Sequence, residues 1–170
     1  MISIKKQILI LLIVLLLIFS ACSNNNQSKN NFEPENNSIL KNTTSESTTL
    51  NTQEFLSKIN NTNTEIIDVR APNELRDLGI IEETKLNINI YDKKSEEKIS
   101  NLKKNQTYLI YCYSGHRSEN FKNYLINKGF EKVFDLKGGI RTWISEGLPT
   151  TKNFSVAQDG TIIYGLNYFK

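Results

Sequence analysis

Thr107-Tyr108-Leu109-Ile110-Tyr111-Cys112-Tyr113-Ser114-Gly115-His116-Arg117-Ser118 is the stretch that decides the fold. Its first five residues are β-branched, aromatic or apolar and read as a buried strand. The strand runs straight into Cys112. From Ser118 to Lys128, Phe121, Tyr124 and Leu125 fall at helical spacing before a stop at Gly129. A thiol between a buried strand and a helix start lies where backbone N–H groups converge, at the positive end of the helix dipole. Such a cradle stabilises a thiolate and any anion held above it. Gly115 permits the tight turn. Arg117 adds a fixed positive charge and a bidentate donor, and Ser118 reads as the N-cap of the helix. Tyr113 shapes or covers the loop, and Ser114 adds a backbone N–H. His116, the single histidine, adds partial positive charge at the rim or acts as a base. The plainer alternative is a structural cysteine at a strand end with Arg117 as a surface charge.

On both sides of this stretch, strands alternate with helices. Thr52–Ile59 carries Phe55, Leu56 and Ile59 at helical spacing behind a polar cap. Glu65–Val69 reads as a strand ending in Asp68-Val69-Arg70, and Pro72 opens a short helix to about Leu78. Leu86–Ile90 alternates as a strand, Asp92–Leu102 is an amphipathic helix, and Lys132–Phe134 is a short strand. Gly138-Gly139 starts a helix with Ile140, Trp143 and Ile144 on one side, ending at Gly147 before Pro149. This order predicts an α/β fold, a central parallel sheet with helices on both faces, over residues 48–150. Ligands of such sheets sit beyond the carboxyl ends of the strands, where Cys112 is delivered. Residues 151–170 form an extension. Within it, Phe154–Gln158 and Thr161–Tyr164 flank Asp159-Gly160 as a hairpin packed on the domain edge.

The N-terminal part has another character. Lys5 and Lys6 precede an apolar run, Ile8–Phe19, followed by Ser20, Ala21 and Cys22. A positive start, a short apolar core and small residues before a cut are the parts of a secretory signal, here residues 1–21. Phe19-Ser20-Ala21-Cys22 resembles the lipobox of bacterial lipoproteins, which implies cleavage before Cys22 and lipidation, including palmitate, on it. An uncleaved membrane anchor is the alternative. Either way the domain is expected outside the cytoplasm, membrane-anchored. Residues 22–47 are rich in Asn, Ser and Thr and read as a flexible tether.

The formal charge is +3, and setting aside Lys5 and Lys6 leaves 19 basic against 18 acidic residues. No basic run follows, so a nucleic-acid partner is not expected. The chain has two cysteines, Cys22 and Cys112. They either pair as a disulfide or, with Cys22 lipidated, leave Cys112 as a lone thiol.

The Cys112-x-x-Gly115-x-Arg117-Ser118 loop resembles the active-site loop of the rhodanese homology family, and other pieces follow in that family's order. Asp68-Val69-Arg70 is similar to its Asp-Val-Arg strand end, with Glu74 the acidic residue of the next helix. Leu86-Asn87-Ile88 resembles its Asn-Ile strand. Leu136-Lys137-Gly138-Gly139, then Trp143, Gly147 and Pro149, resembles its closing signature. The likeness covers about residues 48–150 and implies a single rhodanese-like domain. It departs at Gly79–Lys85, where the family's Gly-His-Ile-Pro-Gly-Ala lacks its histidine and proline; that histidine is usually structural, so local packing is expected to differ.

Four residues separate Cys112 from Arg117, whereas phosphatases of the same fold carry five. The shorter loop suits sulfur rather than tetrahedral phosphate or arsenate. The resemblance therefore implies a sulfurtransferase in which Cys112 accepts sulfur from a donor such as thiosulfate or polysulfide, forms a persulfide, and passes sulfur to a thiol or cyanide. Backbone N–H groups of residues 113–118 would stabilise the charge, and Arg117 would hold the loop and the donor. Asp68 and Arg70 would brace the loop or meet the substrate. No metal or organic cofactor is implied. With no resolving cysteine, the acceptor must be external, a small thiol or a thioredoxin-like protein at the membrane. The rivals are a non-catalytic binding or sensing module, a phosphatase or arsenate reductase of the same fold, and a structural lipoprotein.

Overall fold

The computed structural model describes residues 47–165. The expected signal segment 1–21, Cys22 and nearly all of the tether lie outside the described residues, as do the last five of the C-terminal extension. Five parallel strands form the central sheet in the order β1-β6-β5-β2-β4. They are β1 Thr49–Leu50, β2 Thr64–Asp68, β4 Thr84–Asn87, β5 Thr107–Tyr111 and β6 Lys132–Leu136. The helices are α1 Thr52–Ile59, α2 Pro72–Leu78, α3 Ser95–Ser100, α4 His116–Asn127 and α5 Gly139–Ser145. Two short strands, β3 Ile80–Ile81 and β7 Thr150–Thr151, pair antiparallel beside the sheet. The C-terminal hairpin is β8 Phe154–Val156 with β9 Ile162–Tyr164.

The predicted parallel sheet with helices on both faces is the observed fold. Its two faces follow from the period-two alternation of β5. Tyr108, Ile110 and Cys112 point to one side, into a cluster with Ile67, Val69, Ile99, Phe121 and Leu125, under α3 and α4. Leu109 and Tyr111 point to the other, with Phe55, Phe134, Ile140 and Trp143, under α1 and α5. Cys112 thus continues the apolar register of its strand and is directed at α4. Trp143 is core, its Nε1 donating to the Pro149 carbonyl at 2.8 Å. α1 starts with a reciprocal cap: Glu54 N donates to Asn51 Oδ1 at 3.0 Å and Asn51 N to Glu54 Oε2 at 2.8 Å.

Several boundaries differ from the sequence reading. β4 ends at Asn87; Ile88 adds one bond to Asp68 O at 3.0 Å, and the chain then turns through Asn89–Asp92. The helix expected from Asp92 starts at Ser95, because Asp92 Oδ1 accepts from Lys94 N at 3.0 Å in a turn. Ile144 is 39% exposed and does not share the buried side of Ile140 and Trp143.

The hairpin packs where the extension was expected to make an edge. Thr161 bridges Leu86 antiparallel and Asn87 N donates to Gly160 O at 2.7 Å, so the outer side of β4 is covered. Ile162 joins Leu75 and Ile80 in a separate apolar cluster, with Phe154, Val156 and Tyr164 against it. Ile80, next to Gly79 where the family's histidine is missing, is fully buried in that cluster. An apolar residue there is what a covering hairpin requires.

Candidate active site

Cys112 follows the last residue of β5, and four residues later α4 begins. The helix starts at His116, two residues before the expected Ser118, because Gly115 takes a left-handed φ of 92° and serves as its N-cap. Ser118 is therefore not the cap; it is the third helical residue, and its Oγ is turned back into the loop. It donates to Gly115 O at 2.9 Å and lies 3.6 Å from Cys112 Sγ. Gly115 N donates to the same sulfur at 3.2 Å. The thiol thus accepts one backbone N–H and has beside it a hydroxyl whose single proton can turn to Gly115 O or to the sulfur, and Cys112 is 0% exposed. Tyr113, 40% exposed, and the exposed Ser114 and His116 form the outer surface of the loop.

The loop is braced from beneath by the start of α5. Ile140 N donates to Cys112 O at 2.9 Å and Arg141 N to Tyr113 O at 3.0 Å. The approach demands glycine: a Cβ on Gly139 would lie 2.4 Å from Cys112 O, and one on Gly115 would lie 2.9 Å from Gly138 N. The Gly138-Gly139 pair read from the sequence as a helix start is also the floor of the cysteine loop.

Arg117 is part-buried and pairs with Glu74. NH1 and NH2 donate to the two oxygens of Glu74, at 2.8 and 2.6 Å, a bidentate pair between α4 and α2. Glu74 Oε2 also accepts from Ala71 N at 3.3 Å. Asp68 and Arg70 lie one layer deeper. Both side chains are 0% exposed, and their contacts brace the backbone that leads into and through α2. Arg70 Nε and NH2 bind the Asp68 carboxylate, NH1 donates to Glu74 O at 3.1 Å and NH2 to Gly79 O at 2.7 Å. Asn87 Nδ2 ties Asp68 O and Arg70 O together, each at 2.9 Å. The result is a chain of contacts from the sheet through α2 to Arg117 and the loop. Elsewhere, buried Lys122 binds Asp135 at 2.6 Å and Thr49 at 2.7 Å, fixing α4 to β6 and β1. Among the described residues no cluster of three His, Cys, Asp or Glu could hold a metal ion.

The sequence marked Glu74 only as the acidic residue of its helix. Its partner lies 43 residues away, and no local spacing links them. Its hydrogen bonds with Arg117 hold the Glu74 carboxyl below its ordinary 4.5, and they push Arg117 up. A carboxyl lowered in the folded state stabilises fully above its unfolded value and loses that contribution as pH falls through the lowered one. The wild type should therefore be more stable than Glu74→Gln, by about 1 kcal/mol for a part-buried pair. Urea unfolding should show that margin unchanged from neutral pH to about pH 5 and shrinking only in stronger acid.

Residues 51–146 match the family described as Rhodanese-like domain. A curated relative, a sulfurtransferase from Allochromatium vinosum, is 32% identical over 84 residues, 49% of this chain and 75% of that one. The thiosulfate sulfurtransferase GlpE of Glaesserella parasuis is 42% identical over 41 residues, 24% of this chain and only 38% of that protein. Among solved structures, the rhodanese-related protein from Thermoplasma volcanium aligns with a TM-score of 0.53 at 31% identity, covering 61% of this chain and 97% of that one.

Proposed function

This chain belongs to the rhodanese-like domain family, and from that membership we propose that it is a sulfurtransferase carrying sulfur on Cys112. The observation that carries the reading is the loop itself, a thiol at a strand end held by Gly115 N–H and Ser118 Oγ, with four residues between it and Arg117. The Cys112 thiolate attacks the outer sulfur of thiosulfate or a polysulfide. The S–S bond of the donor breaks, sulfite or the shortened polysulfide leaves with the electron pair, and Cys112 keeps a persulfide. An acceptor thiolate or cyanide then attacks the outer sulfur, and the Cys112 thiolate leaves. Backbone N–H groups at the start of α4 stabilise the charge at each stage. Arg117 holds the loop through its bidentate pair with Glu74, which uses one N–H on each terminal nitrogen and leaves others for an anionic donor.

Cys112 is the free cysteine among the described residues, and with Cys22 lipidated the sulfur passes to an external acceptor. A small thiol or a thioredoxin-like protein fits that need. The basic start, apolar run and Phe19-Ser20-Ala21-Cys22 ending support export and a lipid anchor on Cys22, with the domain on the outer face of a membrane. Labelled palmitate should enter the wild type and not Cys22→Ala.

The activity test is release of thiocyanate from cyanide with thiosulfate or polysulfide as donor. Turnover by the wild type with parallel-line, ping-pong kinetics supports sulfur transfer. Absence of turnover with every donor, alongside hydrolysis of a phosphate ester, would replace it with the phosphatase reading. Silence in both assays would leave the binding module.

A further inference from the structure

We infer that the C-terminal hairpin, β8–β9, is a positioning element for the cysteine loop and acts through Glu74. The inference rests on the sulfurtransferase reading and adds a part to the machinery that the family match, residues 51–146, leaves out.

The hairpin touches the support of the loop at two places. Ile162, with Phe154, Val156 and Tyr164, packs on Leu75 and Ile80. Leu75 is adjacent to Glu74 on α2, a helix of only two turns, so the depth at which Leu75 seats fixes the height of the Glu74 carboxylate. That carboxylate holds both terminal nitrogens of Arg117, and Arg117 belongs to the first turn of the helix that closes over Cys112. The second contact is polar. Gly160 O accepts from Asn87 N at 2.7 Å, and Asn87 Nδ2 binds Asp68 O and Arg70 O, the backbone that leads into α2. Gly160 has a φ of 93°, and a Cβ there would lie 2.4 Å from Asn87 O, so the close approach depends on this glycine. Tyr164 Oη also fastens the hairpin to β4, donating to Thr84 O at 2.9 Å.

Without the hairpin, Leu75 and Ile80 would lose their apolar cover, and α2 would be held by Leu78 on the core side, by Arg70 beneath it and by the Glu74–Arg117 pair alone. A short helix held on one side shifts easily, and small displacements of a group that orients a reactive centre lower rates steeply. Ile162 is therefore a positioning residue, distant from the sulfur.

A double-mutant cycle on the full chain tests this. Ile162→Ala and Glu74→Gln are made singly and together, and kcat and KM for thiosulfate-to-cyanide transfer are measured with the melting curve. Ile162→Ala should lower kcat about tenfold with KM nearly unchanged, since a misplaced loop costs chiefly in the reacting geometry. In the Glu74→Gln background the same substitution should cost less than about twofold, because the two act in series. An equal loss in both backgrounds, or no loss in either, overturns the inference. Should Ile162→Ala lose cooperative melting, the cycle is read on Ile162→Val by the same criteria. A wild type that moves no sulfur at all overturns the sulfurtransferase reading instead, and the two failures are told apart by that control.

Discussion

Cys112→Ser is expected to leave the fold intact and to remove sulfur transfer entirely. Serine is close in shape, and its hydroxyl meets the same Gly115 N–H and Ser118 Oγ that hold the thiol, so the buried oxygen keeps partners. The stability change should stay within about 1 kcal/mol. An alkoxide does not form near neutral pH, and no second thiol among the described residues can take over. Turnover should therefore fall on the order of 10^4-fold or more, to the level of the uncatalysed reaction. Thiocyanate release and a melting curve on the same preparation read both halves of the expectation. Activity above background in the variant would move the chemistry to another residue.

The second large effect is on stability. Asp68→Ala removes one partner of a fully buried ion pair and leaves the Arg70 guanidinium under the sheet edge with only Glu74 O and Gly79 O to satisfy it. Burial pushes the Asp68 carboxyl up, against the pull of Arg70, so the pair already exists at the expense of solvation. Losing one member of such a pair costs about 3–5 kcal/mol. A domain of this size has about 5–15 kcal/mol in all, so the variant should melt at least about 10 °C lower. Asp68→Asn should be milder, because an amide oxygen still accepts from Arg70 N and Nε. Activity should fall in step with stability, since Arg70 holds the backbone of Glu74. An Asp68→Ala protein as stable as the wild type would show that the Asp68–Arg70 pair is not what seats α2.

The features legible in the sequence were the local ones. The apolar run 107–111, the thiol after it, Gly115, and the two helical stripes around them already placed Cys112 at the carboxyl edge of a parallel sheet. The Asp-Gly turn announced the hairpin. What stayed hidden depends on distance or on backbone sterics. Glu74 and Arg117 meet across two helices, so neither residue's neighbours hint at the other. Gly115 in the left-handed region supplies the helix start that Ser118 was expected to supply, and the Ser118 hydroxyl instead lies between Gly115 O and the sulfur. The role of Gly138-Gly139 as the floor of the loop emerges only from how closely Cys112 O and Tyr113 O approach. Asp68 and Arg70 look like exposed charges at a strand end, and only burial with every donor matched makes them structural. Ile80 stands out as a departure from the family pattern, and the hairpin above it gives the reason.

The most direct measurement is the intact mass of the domain after incubation with thiosulfate or polysulfide, with Cys112→Ser treated in parallel. The wild type should gain about 32 Da, one sulfur atom as a persulfide, and lose it on adding cyanide or a thiol, while the serine variant gains nothing. A wild type that takes up no sulfur from either donor, or an equal gain in the variant, would contradict the assignment of Cys112 as the sulfur carrier.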